Sequence, residues 1–217
     1  MDHSFWMERW IEGQIGFHLN EVNPALIRQW PNRGGAGNGP VLVPLCGKSR
    51  DLLYLRALGH TVTGIELSPL AVDAFWQEAG ITPKITQDGA HRIHQGDGIR
   101  LIEGDFFTTR ADQFEAPAWV YDRAALIALP SPMRDRYCDH LRALAPHANI
   151  LLVTLTHDPK EKEGPPFPVT PEEVETRFRE THTIEVLESR DALMDNPSFA
   201  RQGVTALVEH VFLLRPK

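Results

Sequence analysis

The chain has 217 residues, enough for one domain, or a small domain with an appendage, with a core of its own and no need of disulfide staples. Hydrophobic residues make up 42% and charged residues 24%, a globular balance and not a disordered one. The formal charge of −7 argues against a protein that tracks nucleic-acid phosphates, which needs a basic stripe.

Two cysteines, Cys46 and Cys138, cannot build a disulfide framework and are expected as reduced, buried thiols. No apolar run approaches the roughly 20 residues that span a bilayer. The first ten residues mix acids with apolar side chains and lack the basic start of a secretory signal. A cytoplasmic, monomeric protein without membrane or nucleic-acid partners is the expectation.

In chain order, an N-terminal helical segment (1–30) is followed by Pro31-Asn-Arg-Gly-Gly-Ala-Gly-Asn-Gly-Pro40, a glycine- and proline-punctuated stretch. An α/β core is predicted over 41–217, the whole chain forming a single domain. Val41–Leu45 reads as a buried strand, Arg50–Leu58 as a helix stopped by Gly59, and Thr61–Glu66 as a second strand. Pro69–Ala79 is a helix with proline in its first turn and Gly80 behind it. Ile99–Ile102 and Ala118–Tyr121 are further strands, Met133–Leu144 a helix and Asn149–Leu155 a buried strand. Glu172–Arg179 is helical, and Thr183–Leu187 and Val204–Leu214 finish as strands. Strand–helix alternation means βαβ units and a parallel sheet with helices on both faces. The final connection of roughly 16 residues has no clear helix and predicts an antiparallel finish.

In such a sheet a ligand sits at the carboxyl ends of the strands, here Leu45, Glu66, Asp105 and Asp122. The run Pro44-Leu-Cys-Gly-Lys-Ser49 lacks the earlier glycine of a phosphate loop and the three glycines of a dinucleotide site. A ligand without phosphates relaxes that requirement. Glu66 lies 22 residues after Pro44, the spacing at which an acid accepts ribose hydroxyls. Asp105 followed by Phe106 and Phe107 suits an adenine, with a carboxylate for the exocyclic amine and an aromatic face for the ring. Asp122 and Arg123 close an apolar strand with charge, which is costly unless paired or functional. His91 and His94 are three apart in a strand-like stretch, so they face opposite sides; no metal site is expected. Together these features suit an adenosine-type ligand without phosphates.

The chain resembles the thiopurine S-methyltransferase family over essentially its whole length. The resemblance is carried by Arg9-Trp10-Ile-Glu-Gly13 with Gly16-Phe17-His18, Pro44-Leu-Cys-Gly-Lys48, Gly64-Ile-Glu-Leu-Ser68, Asp122-Arg123-Ala-Ala-Leu126 and Gly164-Pro-Pro-Phe167. It implies a Rossmann-like class I methyltransferase fold, with a seven-stranded, mostly parallel sheet and an N-terminal helical lid. It implies S-adenosyl-L-methionine as cofactor, S-adenosyl-L-homocysteine as product, and methyl transfer by in-line displacement to the sulfur of aromatic or heterocyclic thiols such as thiopurines. Carried over by motif position, cofactor contacts fall on Trp10, Leu45 (through its backbone), Glu66, Asp105, Phe106 and Arg123. Phe17 and His18 stand near the acceptor, with Arg123 as the catalytic residue. Asp105 and Phe106 differ in type from the residues mammalian members carry there. Arg201 stands near, but out of register with, an arginine of those members.

Trp6 and Trp10 share a helix face, and Gly13 and Gly16 permit bending before Phe17, which independently suggests a cover segment. Other readings are methyl transfer to selenium or tellurium species, halide or thiocyanate; a nicotinamide-dependent oxidoreductase; and a non-catalytic binder on the same scaffold.

Overall fold

The computed structural model describes residues 3–35, 37 and 39–217; Met1, Asp2, Ala36 and Asn38, the last two within the glycine-rich stretch, lie outside the described residues. The chain divides into two compact units, 1–121 and 122–217.

The first unit begins with α1 (His3–Ile11) and α2 (Pro24–Gln29). Helix α2 starts where Asn23 accepts the Ala25 and Leu26 N–H groups at 2.9 and 3.3 Å, with Pro24 in the first turn. Such a cap contributes about 1 kcal/mol. The Asn23 N–H is itself held by Asp51 Oδ1 at 2.7 Å. There follow β1 (Val41–Pro44), α3 (Asp51–Ala57), β2 (Val62–Glu66), α4 (Pro69–Ala79), β3 (Lys84–Asp88), β4 (His91–Gly96), β5 (Ile99–Glu103) and β6 (Trp119–Arg123), the last crossing the unit boundary. Their order is β3-β4-β5-β2-β1-β6.

Strands β5, β2, β1 and β6 are parallel; β1 is buried along its whole length, as an apolar run in a covered parallel sheet should be. Helix α4 has the predicted bounds, with Pro69 at its start and Gly80 left-handed at its end. It turns Ala71, Val72, Phe75 and Trp76 inward. Behind the sheet, Trp30 is fully buried, donates its indole N–H to His60 Nε2 at 3.0 Å and packs on Trp119. Truncating a core aromatic of this kind costs about 3–5 kcal/mol.

The second unit comprises α5 (Ser131–Leu144), β7 (Asn149–Thr156), α6 (Pro171–Phe178), β8 (His182–Asp191), α7 (Pro197–Arg201) and β9 (Val208–Pro216). Strand β9 lies between β7 and β8 and is antiparallel to both, so the antiparallel finish is as predicted. Arg134, buried on α5, donates through Nη1 to both carboxylate oxygens of Glu173 of α6, at 2.7 and 2.8 Å.

Three expectations are corrected. Nine strands, not seven, are present among the described residues, because β3 and β4 add antiparallel strands beside β5. The connection between β8 and β9 contains the five-residue helix α7, which puts Phe199 into a small cluster with Ala192, Val204 and Leu207. Val204 therefore belongs to that cluster, and the last strand starts at Val208.

Candidate active site

The chain leaves β1 under strain. Leu45 has φ +47° and Gly47 φ +55°, and a left-handed conformation costs a non-glycine residue about 1–2 kcal/mol. Neighbours hold the turn in place: Cys46 N–H donates to the Ile65 carbonyl at 3.0 Å, and Gly47 N–H donates to Glu66 Oε2 at 2.8 Å. The other carboxylate oxygen, Glu66 Oε1, accepts Ser68 N–H at 2.7 Å. The Leu67 N–H is a third backbone donor to this carboxylate, which, with about four acceptor positions, still has capacity for a ligand hydroxyl. Glu66 is buried, and burial pushes its carboxyl above the usual range, against the opposing pull of the backbone donors. The Cys46 thiol alongside is pushed well up by burial and then by the Glu66 charge. It is therefore no nucleophile at neutral pH.

The N-terminal aromatics converge on this turn. Phe17 meets both Trp6 and Trp10 edge-to-face, each at 5.8 Å between centroids. Trp10 covers Gly47 so closely that a Cβ there would lie 3.4 Å from the indole. Helix α1 has no buried residue, so it is held by partly exposed side chains, these rings among them. His18 lies within electrostatic reach of Glu78, whose carboxyl is held below the usual range chiefly by its hydrogen bond to Lys48 at 2.6 Å, with His18 and Arg50 contributing less.

The third strand end follows directly, since Gly104 N–H donates to the Glu66 carbonyl at 2.9 Å. Asp105 Oδ1 accepts Phe107 N–H at 2.9 Å, and Oδ2 lies 3.4 Å from His3 Nε2 of α1. Phe106 is buried and Phe107 only partly so. Glu103, not singled out in the sequence, is a second buried acid in register with Glu66. It is taken up by His94 at 2.8 Å and Arg92 at 3.1 Å. Its signal was an acid at an inward-facing position of an alternating strand.

In the second unit, Asp122 is buried, and accepts Leu126 N–H at 3.2 Å and the Tyr137 hydroxyl at 2.7 Å. Burial pushes its carboxyl up to about 6, and pushes the Tyr137 phenol well up as well. Arg123 follows, half-buried, and then Ala124 at φ +72°. Backbone strain in a non-glycine residue therefore recurs beyond two strand ends, β1 and β6. Such strain persists only where the surroundings enforce it, as at functional sites. Arg201 ends α7 and is exposed.

The structure thus brings Trp10, Phe17, Leu45 and Glu66 together through Gly47, and joins Asp105 to them through Gly104. Gly47 and Ser68, whose N–H groups clasp Glu66, were missed because a backbone donor has no side-chain signature.

A family model described as thiopurine S-methyltransferase matches residues 1–217. The chain belongs to the thiopurine S-methyltransferase family. It is 48% identical over 215 residues to the thiopurine S-methyltransferase of Pseudomonas fluorescens strain SBW25, covering 99% of each chain. It is 44% identical to that of Nitrosospira multiformis, covering 99% and 98%. Among solved structures it is similar to a SAM-dependent methyltransferase from Anabaena variabilis, with TM-score 0.65, 14% identity and 99% and 95% coverage. A second is the 1,6-didemethyltoxoflavin-N1-methyltransferase of Burkholderia thailandensis with bound 1,6-didemethyltoxoflavin and S-adenosylhomocysteine, with TM-score 0.63, 15% identity and 99% and 87% coverage. The fold of this thiopurine S-methyltransferase family member is the Rossmann-like class I methyltransferase fold.

Proposed function

We propose that this chain is a methyltransferase that uses S-adenosylmethionine to methylate the sulfur of aromatic or heterocyclic thiols such as thiopurines, acting as one domain over residues 1–217. Membership of the family supports this, and one observation carries it: the buried Glu66 carboxylate, clasped by the backbone of Gly47, Leu67 and Ser68, keeps acceptor capacity for a ligand hydroxyl. Those residues fit a ribose diol. The strained Leu45 turn offers backbone, Trp10 an apolar cover, and Asp105 with Phe106 an acceptor and an aromatic face for adenine.

When bound, the cofactor supplies an electrophilic methyl group on a sulfonium. The chain's own task is orientation and exclusion of water. The aromatic cluster of Trp6, Trp10 and Phe17 covers the β1 turn and lines the approach of an aromatic acceptor. Arg123 carries a permanent positive charge, which favours the thiolate form of the acceptor. Its role rests on its place in the Asp122-Arg123-Ala-Ala-Leu126 motif. His18 borders the acceptor, by its place beside Phe17. Thiopurines and aryl thiols ionise readily, so a strong general base is not required.

The enzyme acts as a monomer in the cytoplasm on small-molecule acceptors, selenium and tellurium species among them. No helix of the described residues is long and apolar enough to cross a membrane. A screen of thiols, selenium and tellurium species and halides with radiolabelled S-adenosylmethionine tests the proposal. Methylated aryl or heterocyclic thiols are expected; absence of transfer to every thiol overturns it.

A further inference from the structure

His91 is buried on β4, cross-strand from Asp88, and its ring touches groups that fix where its proton sits. Gln113 accepts Arg110 N–H on Oε1 at 2.9 Å, which sets the orientation of its amide. Its Nε2 then faces Asp88 Oδ2 at 3.0 Å and His91 Nδ1 at 3.3 Å. Both amide protons are spent on these two acceptors, so Nδ1 accepts and His91 carries its proton on Nε2. That Nε2–H points at Thr108 Oγ1 at 3.1 Å and the Asp105 carbonyl at 3.3 Å, while the Thr108 hydroxyl donates to the same carbonyl at 3.0 Å. The ring also lies on Gly104, where an added Cβ would come within 2.4 Å of it. Gly104 has φ +153°, which a side chain rarely adopts. The chain Asp88–Gln113–His91 therefore ends on the backbone that carries the Asp105 carboxylate.

We propose that His91 is a positioning residue: held by Gln113 and Asp88, it seats the Gly104–Thr108 turn so that Asp105 selects the 6-amino group of the cofactor's purine. This rests on the assignment of Asp105 to the adenine in the function proposed above.

The test is calorimetric titration of S-adenosylhomocysteine and S-inosylhomocysteine, in which a carbonyl replaces the 6-amino group, into wild type, His91→Gln and His91→Phe. Wild type is expected to prefer the adenosyl ligand by about tenfold, the worth of one hydrogen bond to a charged acceptor. His91→Gln, which restores a donor toward Asp105, keeps the preference, and His91→Phe reduces it to about threefold or less. A full preference in folded His91→Phe overturns the proposal. Should that variant fail to fold, Gln113→Met, which removes the amide holding the ring, is expected to show the same reduction, and an unchanged preference there overturns it equally. Long-range nitrogen–proton NMR of the wild type is expected to show the Nε2–H tautomer at His91; the Nδ1–H tautomer overturns the relay. If wild type binds neither ligand, the cofactor assignment itself fails. If it binds both equally, only the role of Asp105, and with it that of His91, falls.

Discussion

Glu66 Oε2 accepts the backbone N–H of Gly47 at 2.8 Å, across a separation of 19 residues. That bond ties the exit of β2 to the strained exit of β1, so the acid that we propose as the ligand's acceptor is also the brace of the loop. Substituting it removes both functions together. Glu66→Ala is expected to weaken S-adenosylhomocysteine binding at least about tenfold. Glu66→Gln fares little better, since an amide has one accepting oxygen and its NH2 group would face the N–H of Gly47 or of Ser68. Titration calorimetry measures this, and wild-type affinity in Glu66→Ala contradicts the assignment.

The role proposed for Arg123 is one that kinetics can separate from cofactor binding. If it favours the anionic acceptor, Arg123→Ala lowers kcat about tenfold or more, while the KM for S-adenosylmethionine shifts less. Equal losses in both parameters assign the residue to the cofactor instead.

Asp122 makes stability depend on pH with a definite sign. Its folded value of about 6 lies above the unfolded value of about 4, so the folded state binds more protons between the two. Its contribution to stability is therefore greatest below about pH 4 and falls as pH rises through about 6. Asp122→Asn lacks this dependence. The difference in Tm, variant minus wild type, is expected to rise between pH 4 and 6 and level off above. A difference that is flat across that window, measured by circular dichroism melts, refutes the raised value.

Helix α1 has no fully buried residue and is held by partly exposed aromatic contacts. Segments with few buried contacts open at little cost. Hydrogen exchange in residues 3–18 is expected to slow when S-adenosylhomocysteine is added, because Trp10 covers Gly47 in the turn proposed to meet the ligand. Exchange rates indifferent to the ligand rule out a lid.

Local chemistry accounts for what was legible early. The run Val41–Pro44 is apolar without interruption, and Pro69 and Gly80 punctuate α4 at both ends. Strand β3 escaped because Lys-Ile-Thr-Gln-Asp is a mostly exposed edge strand with a single apolar side chain. The β4–β5 hairpin did leave a trace: Asp97-Gly98, both at positive φ, is the pair such a turn demands. Helix α7 has only five residues, too few for periodicity to declare itself.

The amino-acid order alone determined the family, the run of parallel strands and the acid at the end of β2, because apolar periodicity and residue spacing are local properties of a chain. Only the tertiary structure decided which polar groups meet. Gly47 meets Glu66, Tyr137 meets Asp122, and Gln113 meets His91 through hydrogen bonds between residues 15 to 22 positions apart. Such bonds are directional and short, so they exist only once the packed backbone has set each donor opposite its acceptor.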